Sequence, residues 1–334
     1  MKIIFFEIEN WEKDYLKNQL HGADISFFEE KLSLDNISLA KDAEVISVFT
    51  DSQINAEVIS QLPKLKMIAT RSTGFDHIDL ESAKNRKISV CNIPTYGENT
   101  VAEHTFALIL DLSRNIYKSV KKVKESGFQA DGFRGFDLKG KTIGVVGLGH
   151  IGLHVARIAK GFEMNILGFD VNQDRKLAKK IGFTYVSFED LLKKSDIITL
   201  HVPYNKYTHH LINSANIYLI KNGAYLINTA RGGVVETSAL VSALDSGLLA
   251  GAGLDVLEGE CDIKEEKEIL TKGFGEKCDV RTMLQNHILM ERDNVIITPH
   301  NAFNSKEAIQ RIMETTVLNI HSFIIRRPVN IVSS

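Results

Sequence analysis

The segment Thr142-Ile-Gly-Val-Val-Gly-Leu-Gly-His-Ile-Gly152 limits the possible folds of this chain more than any other. An apolar run leads into Gly147-x-Gly149-x-x-Gly152, and a second apolar run, Asn165-Ile-Leu-Gly-Phe169, ends in Asp170. A strand, a glycine turn, a helix and a second strand closed by an acid about 20 residues on are the parts of a dinucleotide fingerprint. Each glycine has its own task. Gly147 permits the tight turn, Gly149 leaves room for a pyrophosphate, and Gly152 lets the helix pack close to the strand. The helix start offers unpaired N–H groups and the positive end of a dipole to the phosphates. Asp170 can accept hydrogen bonds from ribose hydroxyls, and its charge opposes a 2'-phosphate, so NAD is expected rather than NADP. A bare GxGxxG also describes an ordinary glycine-rich turn. The flanking strand, helix and acid separate the two cases.

At 334 residues, about two domains are expected. The net charge of −2 gives no electrostatic case for a nucleic-acid or anionic-membrane partner. Cys91, Cys261 and Cys278 are too few and too widely spaced for a disulfide framework or a zinc site. That usage suits a reducing compartment. The apolar start, Met1-Lys-Ile-Ile-Phe-Phe-Glu7, is too short for a signal peptide or a membrane span and predicts a first buried strand. A cytoplasmic location is the expectation.

Two α/β blocks are legible, with the glycine motif in the second. In the first, strands are predicted at Lys2–Glu7, Ile25–Phe28, Glu44–Phe49, Met67–Thr70 and Ile88–Cys91, with helices such as Trp11–Leu20 and Asn55–Gln61 between them. This alternation predicts a doubly wound parallel sheet. One long helix is predicted from about Thr100 to Glu125. Its first half, Val101-Ala-Glu-His-Thr-Phe-Ala-Leu-Ile-Leu110, is apolar around most of its circumference, and its second half is basic. Burial between domains would account for this. A homodimer interface is favoured, because one domain rarely covers so much apolar helix surface. In the second block, strands are predicted at Thr142–Val146, Asn165–Phe169, Thr184–Val186, Ile197–His201, Ala224–Asn228, Gly251–Val256 and Val295–Thr298. Ser187–Lys194 and Glu236–Ser246 read as helices. The helical tail Ser305–Arg326 is expected to return to the first block. The charged segment from Glu260 to Asn294 is expected to be a long loop.

Ligands of doubly wound sheets bind beyond the carboxyl ends of the strands. Three residues just past predicted strands could carry chemistry there: Arg231, Glu260 and His300. A guanidinium offers two parallel donors to a carboxylate, which a lysine cannot copy. A histidine can give a ketone oxygen a proton while a cofactor delivers hydride, and the reverse in oxidation. A neighbouring carboxylate fixes the imidazole tautomer. Each residue alone could equally be a solvated strand-end or loop side chain.

The chain resembles the D-isomer-specific 2-hydroxyacid dehydrogenase family, and within it the bacterial D-lactate dehydrogenase branch. The similarity covers nearly the whole length. It includes Arg71-Ser-Thr-Gly-Phe-Asp-His-Ile-Asp79, Asn92-Ile-Pro-Thr-Tyr96, Val101-Ala-Glu-His104 and Gly147–Gly152. It continues through His201-Val-Pro203, Asn228-Thr-Ala-Arg-Gly232, Gly253-Leu-Asp-Val-Leu-Glu-Gly-Glu260 and Thr298-Pro-His300. The resemblance implies a flavodoxin-like substrate domain, residues 1–99 and 300–334, and a Rossmann NAD-binding domain, residues 100–299, with an active-site cleft between them. Arg231 would bind the substrate carboxylate, His300 would be the acid/base, and Glu260 its partner. The Thr73 and Gly74 amides would also hold the carboxylate, and Tyr96 would line the cleft. NAD would be contacted by Gly147, Gly149, His150, Ile151, Gly152, Asp170, His201, Val202, Pro203, Thr208, Thr229, Ala230, Arg231, Asp255 and His300. Domain closure about Tyr96–Thr100 and Pro299–Asn301 would exclude water.

His77 and His104 are expected to be structural. His209 and His210 lack the spacing and carboxylate company of a metal site, and no metal is expected. Asn301, Phe303 and Asn304 depart from the usual pattern of the family and leave substrate preference open. Phe49, Tyr96 and Phe303 suggest a restricted aromatic pocket. No appended regulatory domain is expected after the return helix. The leading expectation is reduction of a 2-keto acid, most simply pyruvate to D-lactate. One alternative is hydroxypyruvate, glyoxylate or a bulkier keto acid. Another, of a different class, is an NAD(H)-sensing binding protein with little turnover.

Overall fold

The structure is a computed structural model and describes residues 1–128, 131–259 and 280–332. The chain forms two compact units, Met1–Tyr96 with Ser305–Ser334, and Gly97–Asn304.

The first unit is built on strands β1 (Lys2–Phe5), β2 (Asp24–Phe27), β3 (Val45–Val48), β4 (Met67–Thr70) and β5 (Ser89–Cys91). All neighbours pair in parallel, in the order β2-β1-β3-β4-β5, which is the flavodoxin-like winding. The central strands β3 and β4 are buried at every position. This is why they read as unbroken apolar runs rather than alternating ones. Helices α1 (Asn10–Gln19), α2 (Ala56–Ser60) and α3 (Leu80–Asn85) follow strands. Asn55 and Asp79 start the last two by accepting backbone N–H bonds. The C-terminal helix Lys306–Ile324, capped by Ser305, lies against α1 and β4 in this unit. Its Met313 and Ile320 share a core with Ile3, Phe5 and Met67.

The second unit opens with helices α4 (Glu98–Arg114) and α5 (Ile116–Ser126). The single helix expected from 100 to 125 is therefore two. Asn115 between them has φ +51°, a left-handed conformation that Asn tolerates better than most residues. The apolar half of this stretch is also covered within its own unit. α4 packs against α6 (His150–Gly161) and the strand β11, with Phe106, Leu108 and Ile109 buried. In contrast, α5 buries no residue.

Strands β6 (Thr142–Val146), β7 (Asn165–Phe169), β8 (Thr184–Tyr185), β9 (Ile197–Leu200), β10 (Ala224–Asn228), β11 (Leu249–Leu254) and β12 (Val295–Ile297) form one parallel sheet. Their order, β12-β11-β10-β9-β6-β7-β8, is the Rossmann winding with one strand added. The winding reverses between β6 and β9, where Ile143 pairs with Ile197. α7 (Arg175–Ile181), α8 (Phe188–Lys194) and α9 (Thr237–Asp245) follow along the chain, then α10 (Val280–Met290). α10 corrects the expectation of a loop running from Glu260 to Asn294. Asn286 and Leu289 are buried along one side of this helix, and its charged neighbours in sequence hid that pattern. Among the described residues, no helix is long and apolar enough to cross a membrane.

Candidate active site

The glycine turn joins β6 to α6 at the reversal point. Gly147 has φ +90°, and its N–H donates to the Phe169 carbonyl at 2.8 Å. A Cβ at Gly152 would lie 2.0 Å from the Gly147 carbonyl oxygen, so only glycine allows the helix to start this close to the strand. A Cβ at Gly149 would meet nothing within 4 Å. Gly149 therefore faces open space, where a side chain would obstruct only a bound group. Gly149 and His150 are exposed, Ile151 is half-buried, and no side chain caps the first turn of α6. The residues thus fit a dinucleotide pyrophosphate: a glycine cradle open to solvent beneath a helix start with uncapped donors.

Asp170 follows β7. One of its carboxylate oxygens accepts from the Leu148 N–H at 2.7 Å and the other from the Asn172 N–H at 2.8 Å. Each oxygen keeps a second lone pair for an incoming hydroxyl. Asp170 therefore shapes the glycine turn and keeps acceptor capacity for a hydroxyl.

On the other side of the reversal, the His201 N–H donates to the Val146 carbonyl at 2.7 Å and extends β9. Its Nε2 is 2.8 Å from the Thr199 hydroxyl, and its Nδ1 is buried with no hydrogen-bond partner. Burial pushes the imidazole pKa down to about 3, so this ring is neutral. The same turn continues through Val202 and Pro203. The Thr208 hydroxyl closes it by donating to the Pro203 carbonyl at 2.6 Å. The Thr229 hydroxyl is engaged at 3.1 Å with Thr105 of α4.

The loop after β10 carries Ala230 and Arg231. The buried Asn228 side chain holds its shape, accepting from the Ala230 N–H and donating to the Arg231 carbonyl, both at 3.0 Å. Arg231 is half-buried and donates one bond to the Ala230 carbonyl at 2.8 Å.

His300 follows β12 with φ +50°, a left-handed conformation. Its N–H donates to the Asp255 carbonyl at 2.8 Å. The Asp255 carboxylate, 1% exposed, accepts from the Asn301 and Ala302 N–H groups at 3.0 and 2.9 Å and from the Thr298 hydroxyl. His104 of α4 completes this arrangement, with Nε2 2.9 Å from the Thr298 hydroxyl and 3.4 Å from Asp255. Asp255, expected as a cofactor contact, is the clamp of the loop that carries His300. Sequence reasoning missed that task and the part of His104 in it. Glu260, the expected partner of His300, lies outside the described residues.

In the first unit, the Ser72 carbonyl accepts from the Ile93 N–H at 3.0 Å and the Thr73 carbonyl from the Asn92 side chain at 2.8 Å. Because trans peptides are planar, the Thr73 and Gly74 N–H groups point the opposite way, away from residues 92–93. Two adjacent amides aimed to one side suit a carboxylate. His77 is buried with Nε2 3.1 Å from the Thr70 hydroxyl, and the Tyr96 carbonyl accepts from Arg311. Among the described residues, no group of three or more His, Cys, Asp or Glu could hold a metal ion.

A Rossmann sheet with an acid after its second strand, and an arginine and a histidine beyond later strands, defines an NAD-dependent oxidoreductase of two α/β units. Residues 106–302 match the family described as D-isomer specific 2-hydroxyacid dehydrogenase, NAD binding domain. The chain is 32% identical to the D-lactate dehydrogenase of Escherichia coli, covering 96% of each protein. It is 35% identical to the glyoxylate reductase of Pyrococcus furiosus, covering 95% of this chain and 86% of that one. It superimposes with a TM-score of 0.87 and 40% identity on the D-lactate dehydrogenase of Aquifex aeolicus, complexed with NAD and lactic acid, over 97% and 96% of the two chains. The chain belongs to the D-isomer specific 2-hydroxyacid dehydrogenases. It is an NAD-dependent enzyme of that family, similar to its D-lactate dehydrogenases.

The two glycines separate folding from cofactor binding. Gly152→Ala should cost about 1–3 kcal/mol through overpacking against fixed backbone. Gly149→Ala should leave the urea midpoint unchanged while NADH affinity falls. Equal loss of stability in both variants would overturn this division. His201 generates a pH prediction. Below its ordinary value of 6.5, the unfolded chain takes up a proton that the folded ring refuses until about 3. Stability at this site therefore falls as pH drops through that window. His201→Gln should flatten the decline of the urea midpoint with acid. Parallel declines in both proteins would assign the acid sensitivity elsewhere.

Proposed function

We propose that this chain uses NADH to reduce a small 2-keto acid, pyruvate first among the candidates, to the D-2-hydroxy acid. The observation that carries the proposal is the placement of Arg231 and His300 beyond the carboxyl ends of β10 and β12, in the sheet that carries the glycine cradle. When bound, the nicotinamide supplies the hydride that reaches C2 of the keto acid. Arg231 offers paired donors to the substrate carboxylate, and the Thr73 and Gly74 amides add two more. His300 gives its proton to the carbonyl oxygen as that oxygen gains charge, and takes it back in oxidation. Glu260 holds the imidazole in the tautomer this requires. Gly147, Gly149, His150, Ile151, Gly152 and Asp170 hold the adenosine and pyrophosphate portion. His201, Val202, Pro203, Thr208, Thr229, Ala230 and Asp255 border the rest of the cofactor, and Tyr96 lines the substrate side.

Assembly as a homodimer is part of the same proposal. Its support is α5, where Ile116, Tyr117, Val120 and Val123 are exposed on a helix that buries nothing. A reducing, cytoplasmic setting suits Cys91, which is buried and unpaired, its thiol pushed up to about 11 by burial.

The test is NADH oxidation with pyruvate, with NADPH in parallel and the product resolved by chirality. NADH-dependent formation of D-lactate is the expected result. Turnover only with glyoxylate or hydroxypyruvate would move the substrate and keep the chemistry. NADH binding without turnover on any 2-keto acid would overturn the proposal in favour of a sensing role. Arg231→Lys should lose at least about 100-fold in kcat/KM, since a point charge cannot copy the fork, while NADH still binds. Unchanged turnover would remove Arg231 from its assigned role.

A further inference from the structure

A cluster beside the Arg231 turn takes no part in the chemistry above. His210 Nε2 lies 2.6 Å from Glu258 Oε1, and both side chains are partly buried. The other Glu258 oxygen accepts from the Thr237 hydroxyl at 2.8 Å and from its N–H at 3.2 Å, at the start of α9. The Glu258 carbonyl accepts from the buried Asn286 side chain of α10 at 2.8 Å.

These bonds surround the Arg231-Gly232-Gly233 turn. On one side, the His210 N–H donates to the Gly233 carbonyl at 2.8 Å and the Ile212 N–H to the Val234 carbonyl at 3.2 Å. On the other side, Gly232 lies against residues 257–258. A Cβ on it would fall 2.0 Å from the Leu257 carbonyl and 2.3 Å from the Glu258 N–H nitrogen. The backbone after Arg231 is thus held between two segments, and the His210–Glu258 hydrogen bond joins those segments to each other. The His210 backbone is left-handed, with φ +48°, and its ring stacks on His209 at 3.9 Å. Such a conformation persists only where its surroundings over-determine it.

We propose that His210 and Glu258 are positioning residues for Arg231, closing the backbone frame that aims its guanidinium at the substrate carboxylate. The inference rests on the carboxylate-binding role given to Arg231 above. A bidentate pair needs both N–H groups in line with both oxygens, so a small rotation of the turn costs affinity for the acid. The glycine cradle and Asp170 lie on other segments, so the dinucleotide keeps those contacts when the turn rotates, although Thr208, Thr229 and Ala230 lie beside it.

The test compares wild type with His210→Ala, Glu258→Ala, the double variant and His210→Gln. Keto-acid KM and kcat, NADH affinity by fluorescence, and thermal stability are measured for each. The KM of pyruvate, or of whichever 2-keto acid wild type turns over, should rise about ten-fold or more in each alanine variant. NADH affinity should fall by a clearly smaller factor than KM rises. The double variant should be no worse than the worse single one, as expected of groups acting as a unit. His210→Gln, which keeps a donor where Nε2 stood, should recover most of the loss. If Glu258→Ala does not fold, Glu258→Gln takes its place. Unchanged KM in both single variants overturns the proposal. So does a rise in KM matched by equal losses of NADH affinity and thermal stability, which marks general loosening. An inactive wild type would instead overturn the reading of Arg231, and this inference with it.

Discussion

The pose of His300 depends on one buried carboxylate. Asp255 sits at the end of β11 with almost no exposure, and such a group is tolerable only when donors replace its water. The chain supplies them from the segment that carries His300: two successive N–H groups, at Asn301 and Ala302, and the Thr298 hydroxyl. A charged acceptor makes these bonds stronger than neutral ones. The left-handed backbone of His300, costing about 1–2 kcal/mol in a typical residue, is compatible with this only because both flanks are pinned. His104 reaches the same centre from α4. The helix that opens the second unit is thereby coupled to the loop that carries His300 near the end of it.

The cofactor side follows a different logic. There the geometry comes from removed atoms rather than added bonds. Gly152 allows a helix start where any Cβ would collide with backbone, and Gly149 leaves a surface bare. Asp170 then fixes the turn from the neighbouring strand through the Leu148 N–H. A cradle made this way is preorganised by hydrogen bonds of the chain itself, which lowers the ordering cost of binding.

These two kinds of construction explain what was legible in the sequence. Strands β4, β6, β7 and β10 begin and end where the sequence predicts them; β4, β6 and β10 are mostly buried, so their apolar runs show little alternation. The glycine motif was legible because Gly147 and Gly152 answer to local backbone geometry and Gly149 to the space a bound group needs. The parallel, doubly wound architecture was legible from the alternation of such runs with amphipathic ones. The break at Asn115 was not, since one Asn is only mildly unfavourable inside a helix and its φ alone shows the interruption. The helix Val280–Met290 was hidden in a charged stretch. The clamp by Asp255 and the frame through Glu258 and His210 join residues over 40 positions apart, and no spacing rule reports such pairings.

The same distinction bears on where substrate preference can change without loss of the fold. In the first unit, the carbonyls of Ser72 and Thr73 are committed to residues 92–93, which leaves the amide direction fixed whatever side chains line the surroundings. Arg71, immediately before this turn, is buried and spends its donors on the Phe6 and Glu7 carbonyls and the Ser47 hydroxyl. Glu7 in turn holds the Phe49 and Asp51 N–H groups at 2.9 and 2.8 Å. The paired amides of Thr73 and Gly74 and the aromatic side chain of Phe49 are therefore supported by one polar network but contributed by separate strand ends. The main-chain support of Phe49 stays in place whatever its side chain, while its ring also lies under the Arg71 guanidinium, 6.0 Å from the centroid, so replacing the ring changes shape and one cation–π contact together. In the proposed reading, a carboxylate anchor built from backbone would stay fixed while the side chains around it set which keto acid fits.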